Sequence, residues 1–459
     1  MAAPLFAYND ITSTPAFKTS DTFLQDAYTG LNGYAIGNYL VPHTRESPAK
    51  FLNRQQLAVY PNFVRKIVDV YRGFLWRQAP SREVGTLYAG FMADADGLGT
   101  PIDALLASYQ RLAMLLGTVY VIVDKPQQQG RTLAGQRMPY LVLRLPGQLV
   151  SMERDETGKM VSATFSEFAD GEPVYRTYTQ TGWRLAKDSG GKDIIGQGGH
   201  NLGEVPVVPL HVAPPLTPDA HKSQSWVYDL AVLNWDLYNL RSELRELFRA
   251  QTFSILSLPV IDHIEREAFK DLTISTENAL LFNPTGGGTP GFIAPPADPV
   301  RLYMDMIAAT VADIYRVANL EFVGGVQQSG VALSFHFQEA NSNLRGMADC
   351  CNTAELAIAR LVHLWQGQTF TGTISYANDF NLTDLQQALA TTMDAVTLGM
   401  GAEFDKAIKK RLAKQLLGNE VAPDDMAAID QEIDAQGDPY GDRLQQQADA
   451  QPDLPVNGQ

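Results

Sequence analysis

The apolar positions of this chain change period several times, and each change marks a different element. From Lys50 they recur at three- and four-residue spacing, through Leu52, Leu57, Tyr60, Val64, Ile67, Val68, Tyr71 and Leu75. That spacing lines one face of a helix, and Pro61 suits the first turn of a second helix within the run. Pro101 opens a further helix with Ile102, Leu105, Leu106, Tyr109, Leu112, Ala113 and Leu116 on one face, and Gly117 stops it. Beyond Gly117 the period becomes two. TVYVIVD (118–124), YLVLRL (140–145), KMVSATFSEF (159–168), PVYRTYTQT (173–181) and WRLAK (183–187) are rich in β-branched and aromatic residues, with DETG, DG and TG at the corners. They predict an antiparallel meander. EVPVVPLHVAPP closes it, its prolines favouring an edge strand or linker.

Helical spacing returns at Ser225. Trp226, Leu230, Leu233, Leu237, Leu240, Leu244 and Leu247 follow one side of a segment without internal Gly or Pro, long for a globular helix. A compact α/β stretch comes next, made of FSILSLPVI, the helix-like IEREAFK, ALLFNP, a PTGGGTPG loop and GFIAPP. A second long helix follows in DPVRLYMDMIAATVADIYRVANL, with Pro299 in its first turn. EFVGGVQQSGVALSFHF (321–337), glycine-punctuated and charged only at Glu321, predicts a loop, and 338–366 predicts another long helix. TFTGTISYAN reads as a hairpin, and NLTDLQQALATTMDAVTLG and EFDKAIKKRLAKQLLG as helices. Residues 1–47, with turn formers and few periodic apolar positions, read as an arm that lies on a neighbour or stays loose. The fold class is α+β.

Composition narrows the picture. At 459 residues and 45% hydrophobic, the chain can fill a core and hold two or three domains. Its net charge of −15 argues against coating nucleic acid by neutralising phosphates. Between Glu420 and Gln459 ten acids face Arg443 alone, and QGDPYGDRLQQQADAQPDLPVNGQ has the composition of a mobile segment. The first 150 residues instead carry 14 bases and 10 acids. Arg65, Lys66, Arg72, Arg77 and Arg82 cluster there and suit either DNA phosphates or an acidic neighbouring subunit, the interface being favoured. No window is apolar for the length of a membrane span, and the N-terminus lacks a signal-peptide pattern. A soluble protein made in the cytoplasm, with no membrane partner, is expected. The two cysteines, Cys350 and Cys351, are adjacent and cannot staple distant segments, which points to a reducing compartment.

Catalytic chemistry is not assembled by any motif. Gly286–Gly288 and GQGGHNLG lack the Lys-Ser/Thr that completes a phosphate loop, so both read as flexible loops. The histidines at 43, 200, 211, 221, 263, 336 and 363 never fall at metal-ligand spacing. Cys350 and Cys351 read as small buried hydrophobes of a helix, with His336 or His363 the only bases near in sequence. Asp262, Glu265 and Glu267, interleaved with Arg266 and Lys270, read as a solvated face, and Asp94/Asp96 and Asp424/Asp425 carry no motif. We expect no enzyme, cofactor or metal.

The order of elements and three strings carry a resemblance. The strings are YPNFVRKIVDVYRGFLWRQAP (60–80), VPVVPL (205–210) and FVGGVQQSGVALSFHFQEANSNLRGMADCCNTAELAIARL (322–361). The last, SG-x-A-L leading into a long helix after a glycine-rich loop, is the most specific. Across about 50–440 the chain resembles the portal proteins of tailed bacteriophages. That resemblance implies a portal fold with an N-terminal arm (1–47), a wing of helices and antiparallel meander (48–225), stem helix 1 (226–251) and an α/β clip (252–298). It continues with stem helix 2 (299–321), a tunnel loop (322–335), the second part of the wing (336–379), a helical crown (380–440) and a disordered acidic tail (441–459). It implies a homo-oligomeric ring of twelve copies at one capsid vertex of the virion. Double-stranded DNA would pass through it, held weakly and without sequence specificity. The implied partners are the terminase large subunit during packaging, head-completion and tail adaptor proteins afterwards, and the major capsid and scaffolding proteins.

On the same basis Gly324, Gly325, Gln327, Gln328, Ser329 and Gly330 would face DNA in the tunnel loop. Asp229, Asp236, Arg241, Glu243, Arg245 and Glu246 would offer polar side chains to the stem lumen, and Glu265, Arg266, Glu267 and Lys270 would dock partners at the clip. The rival readings are another head-tail adaptor or minor capsid protein, and a DNA-processing enzyme such as a terminase or nuclease.

Overall fold

The structure is a computed structural model, describing residues 21–44, 46–126, 138–217, 220–252, 255–259, 279–282, 289, 291–293, 298–320, 330–378, 380, 406–407, 409–410, 413 and 423–435. The chain divides into two units, Met1–Phe380 and Asn381–Gln459. The first is α+β, with helices packed around antiparallel sheets.

Its helical layer begins with α1 (Asp21–Thr29), α2 (Pro48–Leu57) and α3 (Phe63–Leu75). Ser47 caps α2 by accepting from the Lys50 amide, and Asn62 caps α3 by accepting from the Arg65 amide. Strand β1 (Ser81–Glu83) and α4 (Thr86–Ala93) precede α5 (Ile102–Leu116). Helix α5 ends at Gly117, whose φ of 84° is left-handed; a Cβ there would lie 1.9 Å from the Ser223 carbonyl oxygen. Only glycine satisfies both conditions.

The region expected to be one meander forms two sheets. β2 (Thr118–Asp124) is the centre of a three-stranded sheet, between β3 (Tyr140–Arg144) and β9 (Val207–His211), both antiparallel to it. β4 (Leu149–Arg154), β5 (Met160–Ala169), β6 (Glu172–Thr179), β7 (Gly182–Ala186) and β8 (Ile194–Gly199) form a separate five-stranded antiparallel sheet in chain order. The reason lies in β2. Val119, Val121 and Val123 pack into the main helical core, while Tyr120 and Ile122 on its other face pack with Met152, Phe165 and Tyr178 of the second sheet. A strand covered on both faces loses the apolar–polar alternation of a one-sided meander. The proline-rich β9 lies at a sheet edge, as its sequence predicts.

Helix α6 (Tyr228–Thr252) runs into a three-stranded mixed sheet. There β10 (Ile255–Pro259) pairs parallel with β11 (Ala279–Phe282) and antiparallel with β12 (Gly291–Ile293). Helix α7 (Asp298–Val317) returns alongside α6. Helix α8 (Gly330–Trp365) is longer than predicted: 330–335, read as loop because of the flanking glycines, form its first turns. Its indole Trp365 Nε1 donates to the Val123 carbonyl at 2.9 Å, fixing the far end of α8 against β2. TFTGTISYAN is no local hairpin, since β13 (Thr373–Ser375) pairs antiparallel with β1, nearly 300 residues earlier in sequence.

The largest departure concerns residues 1–47. Within the predicted arm, α1 and the turns after it enter the core, with Phe23, Leu24, Ala27, Tyr34, Tyr39 and Leu40 buried. Tyr34 stacks on Tyr60 (centroids 3.8 Å apart) and meets Tyr238 edge-on. Buried Asp26 accepts from Asn32 Nδ2 (2.7 Å), Tyr39 OH (2.8 Å) and the Gly33 amide (3.4 Å). In the second unit, α9 (Pro423–Ala435) is helical, and Lys410 pairs with Asp434 at 2.6 Å. The tail segment 441–459 lies outside the described residues. No described helix is long and apolar enough to cross a membrane.

Candidate functional site

Burial along the helix pair α6 and α7 is uneven from end to end. On α6, Leu230, Ala231, Asn234, Leu237, Tyr238, Asn239, Leu240 and Ser242 are buried; from Glu243 to Arg249 no residue is. On α7 the burial runs the other way, absent from Asp298 to Ala309 and present at Thr310 and Ile314. Both helices are therefore rooted in the core at one end and stand clear at the other, where they meet the mixed sheet. The exposed portions carry Phe248, Leu302, Met304 and Met306, and Val317 is exposed nearer the root. Large apolar side chains in water along a helix pair are the mark of an interaction surface.

The root is held by polar side chains that sequence periodicity does not reveal. Asn234 is fully buried on α6; its Oδ1 accepts from the amides of Phe63 (2.9 Å) and Val64 (3.3 Å), and its Nδ2 donates to the Pro61 carbonyl (2.8 Å). It thereby caps the N-terminus of α3, where the Phe63 amide also donates to the Pro61 carbonyl. Asn239, one helical turn on, accepts from the Val41 amide and donates to the carbonyls of Tyr39 and Trp235. The signal for both was an asparagine inside a leucine stripe, where a buried amide requires partners.

Of the six polar residues expected along α6, Asp229, Asp236 and Arg241 are exposed. Glu243, Arg245 and Glu246 have partners within the same chain. Glu243 accepts from Tyr303 OH of α7 at 2.9 Å, which raises the tyrosine pKa through burial first and this carboxylate second. Arg245 donates to the Leu57 carbonyl at 2.5 Å, and Glu246 lies 3.9 Å from Lys50 and 3.7 Å from Arg249. Gly330 is the first residue of α8, while Gly324, Gly325, Gln327, Gln328 and Ser329 lie outside the described residues, as do Glu265, Arg266, Glu267 and Lys270.

The basic group is not one surface. Arg65 donates to the carbonyls of Tyr28 and Thr29, Lys66 to Tyr315 OH at 3.4 Å, and Arg77 is exposed. Arg82 is buried. Its guanidinium meets Asp103 at 2.6 Å and Glu355 at 2.7 and 3.1 Å, and Glu355 also accepts from Tyr88 OH (3.2 Å) and Tyr376 OH (2.6 Å). Burial opposes the Arg82 charge, but the hydrogen bonds from Glu355 and Asp103 overcome it and raise its pKa above the ordinary value. Helix α8, α5 and the β1–β13 pair are tied through this one cluster. Cys351 is buried and Cys350 half-buried, and burial pushes the Cys350 thiol up to about 11, away from the reactive thiolate.

Neither a family model nor a curated protein matches the sequence. Solved structures do. A chain from "Neck of empty GTA particle computed with C6 symmetry" overlaps 75% of this chain and 89% of its own, at 13% identity and a TM-score of 0.44. A chain from "Virion of native gene transfer agent (GTA) particle" overlaps 83% and 94%, at 14% identity and 0.40. One from "Neck of native GTA particle computed with C12 symmetry" overlaps 85% and 91%, at 12% and 0.42. The structural neighbours are neck and virion components of gene transfer agent particles.

Proposed function

We propose that the chain is a portal subunit, twelve copies of which form a ring-shaped DNA channel at one vertex of a capsid. The observation that carries this reading is the helix pair. α6 and α7 leave the core side by side, bracket a small mixed sheet, and present apolar side chains to solvent that a lone subunit would leave uncovered. In this reading they are the stem, β10–β12 belong to the clip that faces the terminase large subunit and then the head-completion and tail adaptor proteins, and the two parts of the wing meet at the Arg82–Glu355 cluster. Asp229, Asp236 and Arg241, exposed on α6, are the stem residues that face the lumen. A conduit must let DNA slide, and the net charge of −15 suits weak contact rather than tight phosphate binding.

Negative-stain images of the purified protein should show rings with a central hole. A strictly monomeric mass by native mass spectrometry, at high concentration, would remove the reading. A second test addresses the tunnel loop: deleting 322–329, which spares the helix start at Gly330, should leave ring assembly intact and abolish DNA packaging or retention. Normal yields of DNA-filled particles from that variant would show that these residues do not serve the DNA path.

A further inference from the structure

Between α2 and the outer half of α6 lies a cavity of about 290 Å³. Its walls are apolar at Leu57 and Phe248 and cationic at Arg54, Arg245 and Arg249, with Ser242 and one carboxylate, Glu246, also in its lining. Two of these groups are buried and unsatisfied: neither Ser242 Oγ nor Arg54 Nε has a hydrogen-bond partner, although Ser242 is 4% and Arg54 5% exposed. These two atoms lie beneath the cavity surface, so the charge of its wall comes from the arginines that line it. The acids nearby are already paired. Glu46 is taken up by Arg54 Nη1 at 3.0 Å, and Glu246 lies between Lys50 and Arg249. Three arginines against one lining carboxylate leave the site positive.

The same unit carries a surface of opposite character. On the exposed part of α7, Leu302, Asp305, Met306 and Ala309 fall at helical i, i+3, i+4 and i+7 spacing and share one face. Leu302 is 64% and Met306 53% exposed, and Asp305 has no ion pair among the described residues. A carboxylate between two large apolar side chains is the complement of a cationic cavity with apolar walls.

Resting on the ring reading above, we propose that the α2–α6 cavity receives the outer face of α7 from a second copy of this chain. Asp305 of that copy pairs with Arg249, while its Leu302 and Met306 cover Leu57 and Phe248. The two surfaces differ, so the contact is heterologous: each copy gives α7 to one neighbour and receives it from the other, which is the contact that builds a ring.

Charge reversal tests it, because Arg249 and Asp305 are both exposed and their substitution leaves the core untouched. Arg249→Glu and Asp305→Arg should each weaken assembly, measured by mass photometry over a dilution series, by about tenfold or more, and the double variant should recover most of the loss. In a second arm, Phe248→Cys and Met306→Cys proteins, each also carrying Cys350→Ser, are mixed under mild oxidation. Cross-linked dimers should form in the mixture and not from either protein alone. Rings that assemble with wild-type affinity in both single variants would overturn this contact while leaving the portal reading standing. So would cross-linking of Phe248→Cys to itself, which requires a symmetric contact. Wild-type protein that never assembles would overturn both.

Discussion

Replacing Glu355 by alanine should destabilise the protein by about 3–5 kcal/mol, the size expected when one partner of a buried ion pair is removed. The side chain of Glu355 is fully buried and that of Arg82 nearly so. An arginine cannot escape by losing its proton, so the variant keeps a buried guanidinium with only Asp103 beside it. It also strands the hydroxyls of Tyr88 and Tyr376, both directed at the missing carboxylate. Each stranded donor adds roughly 1–3 kcal/mol where the site cannot admit water. The double variant Arg82→Met, Glu355→Met removes charge and counter-charge together and should be milder than Glu355→Ala alone. Thermal unfolding of the three proteins checks the order. A Glu355→Ala midpoint equal to wild type would mean that the cluster is open to water and not a structural tie.

This cluster also shows where the sequence is legible and where it is not. Arg82 stands out only as one base in a group of five, and nothing local says that its partner lies more than 270 residues away on α8. Helix α5, the strands β2 and β5–β7, and the long helices α6 and α7 follow from period and residue type, a signal that each element carries in its own sequence. The misses are long-range. β13 has three residues and is a strand because β1 pairs with it. β8, IIGQGG, carries little strand propensity and is held by the ladder to β7. Of the site residues, exposure of Asp229, Asp236 and Arg241 agrees with a polar stripe on α6, whereas the intrachain partners of Glu243, Arg245 and Glu246 come from α7, the end of α2 and Lys50. Helical periodicity locates a polar face but does not say what lies opposite it.

Deleting residues 1–47, as a loose arm would permit, should instead prevent folding of the first unit. The deletion removes Phe23, Leu24, Tyr34, Tyr39 and Leu40, all buried. At ~1.5–3 kcal/mol for each fully buried large side chain, the loss is comparable with the whole stability of a domain, ~5–15 kcal/mol. It also uncovers Tyr60 and Tyr238, which pack against Tyr34, and leaves Asn239 without the Val41 amide and Tyr39 carbonyl that it binds. Because Asn239 and Tyr238 belong to α6, the damage reaches the root of the helix pair on which the proposed ring depends. Deleting only residues 1–20 removes none of these side chains and should lower the unfolding midpoint far less than the longer deletion. Soluble yield and circular-dichroism melting of the two truncations compare them directly. A folded Δ1–47 protein with wild-type melting would show that the tyrosine cluster is packed on the surface of a core complete without it.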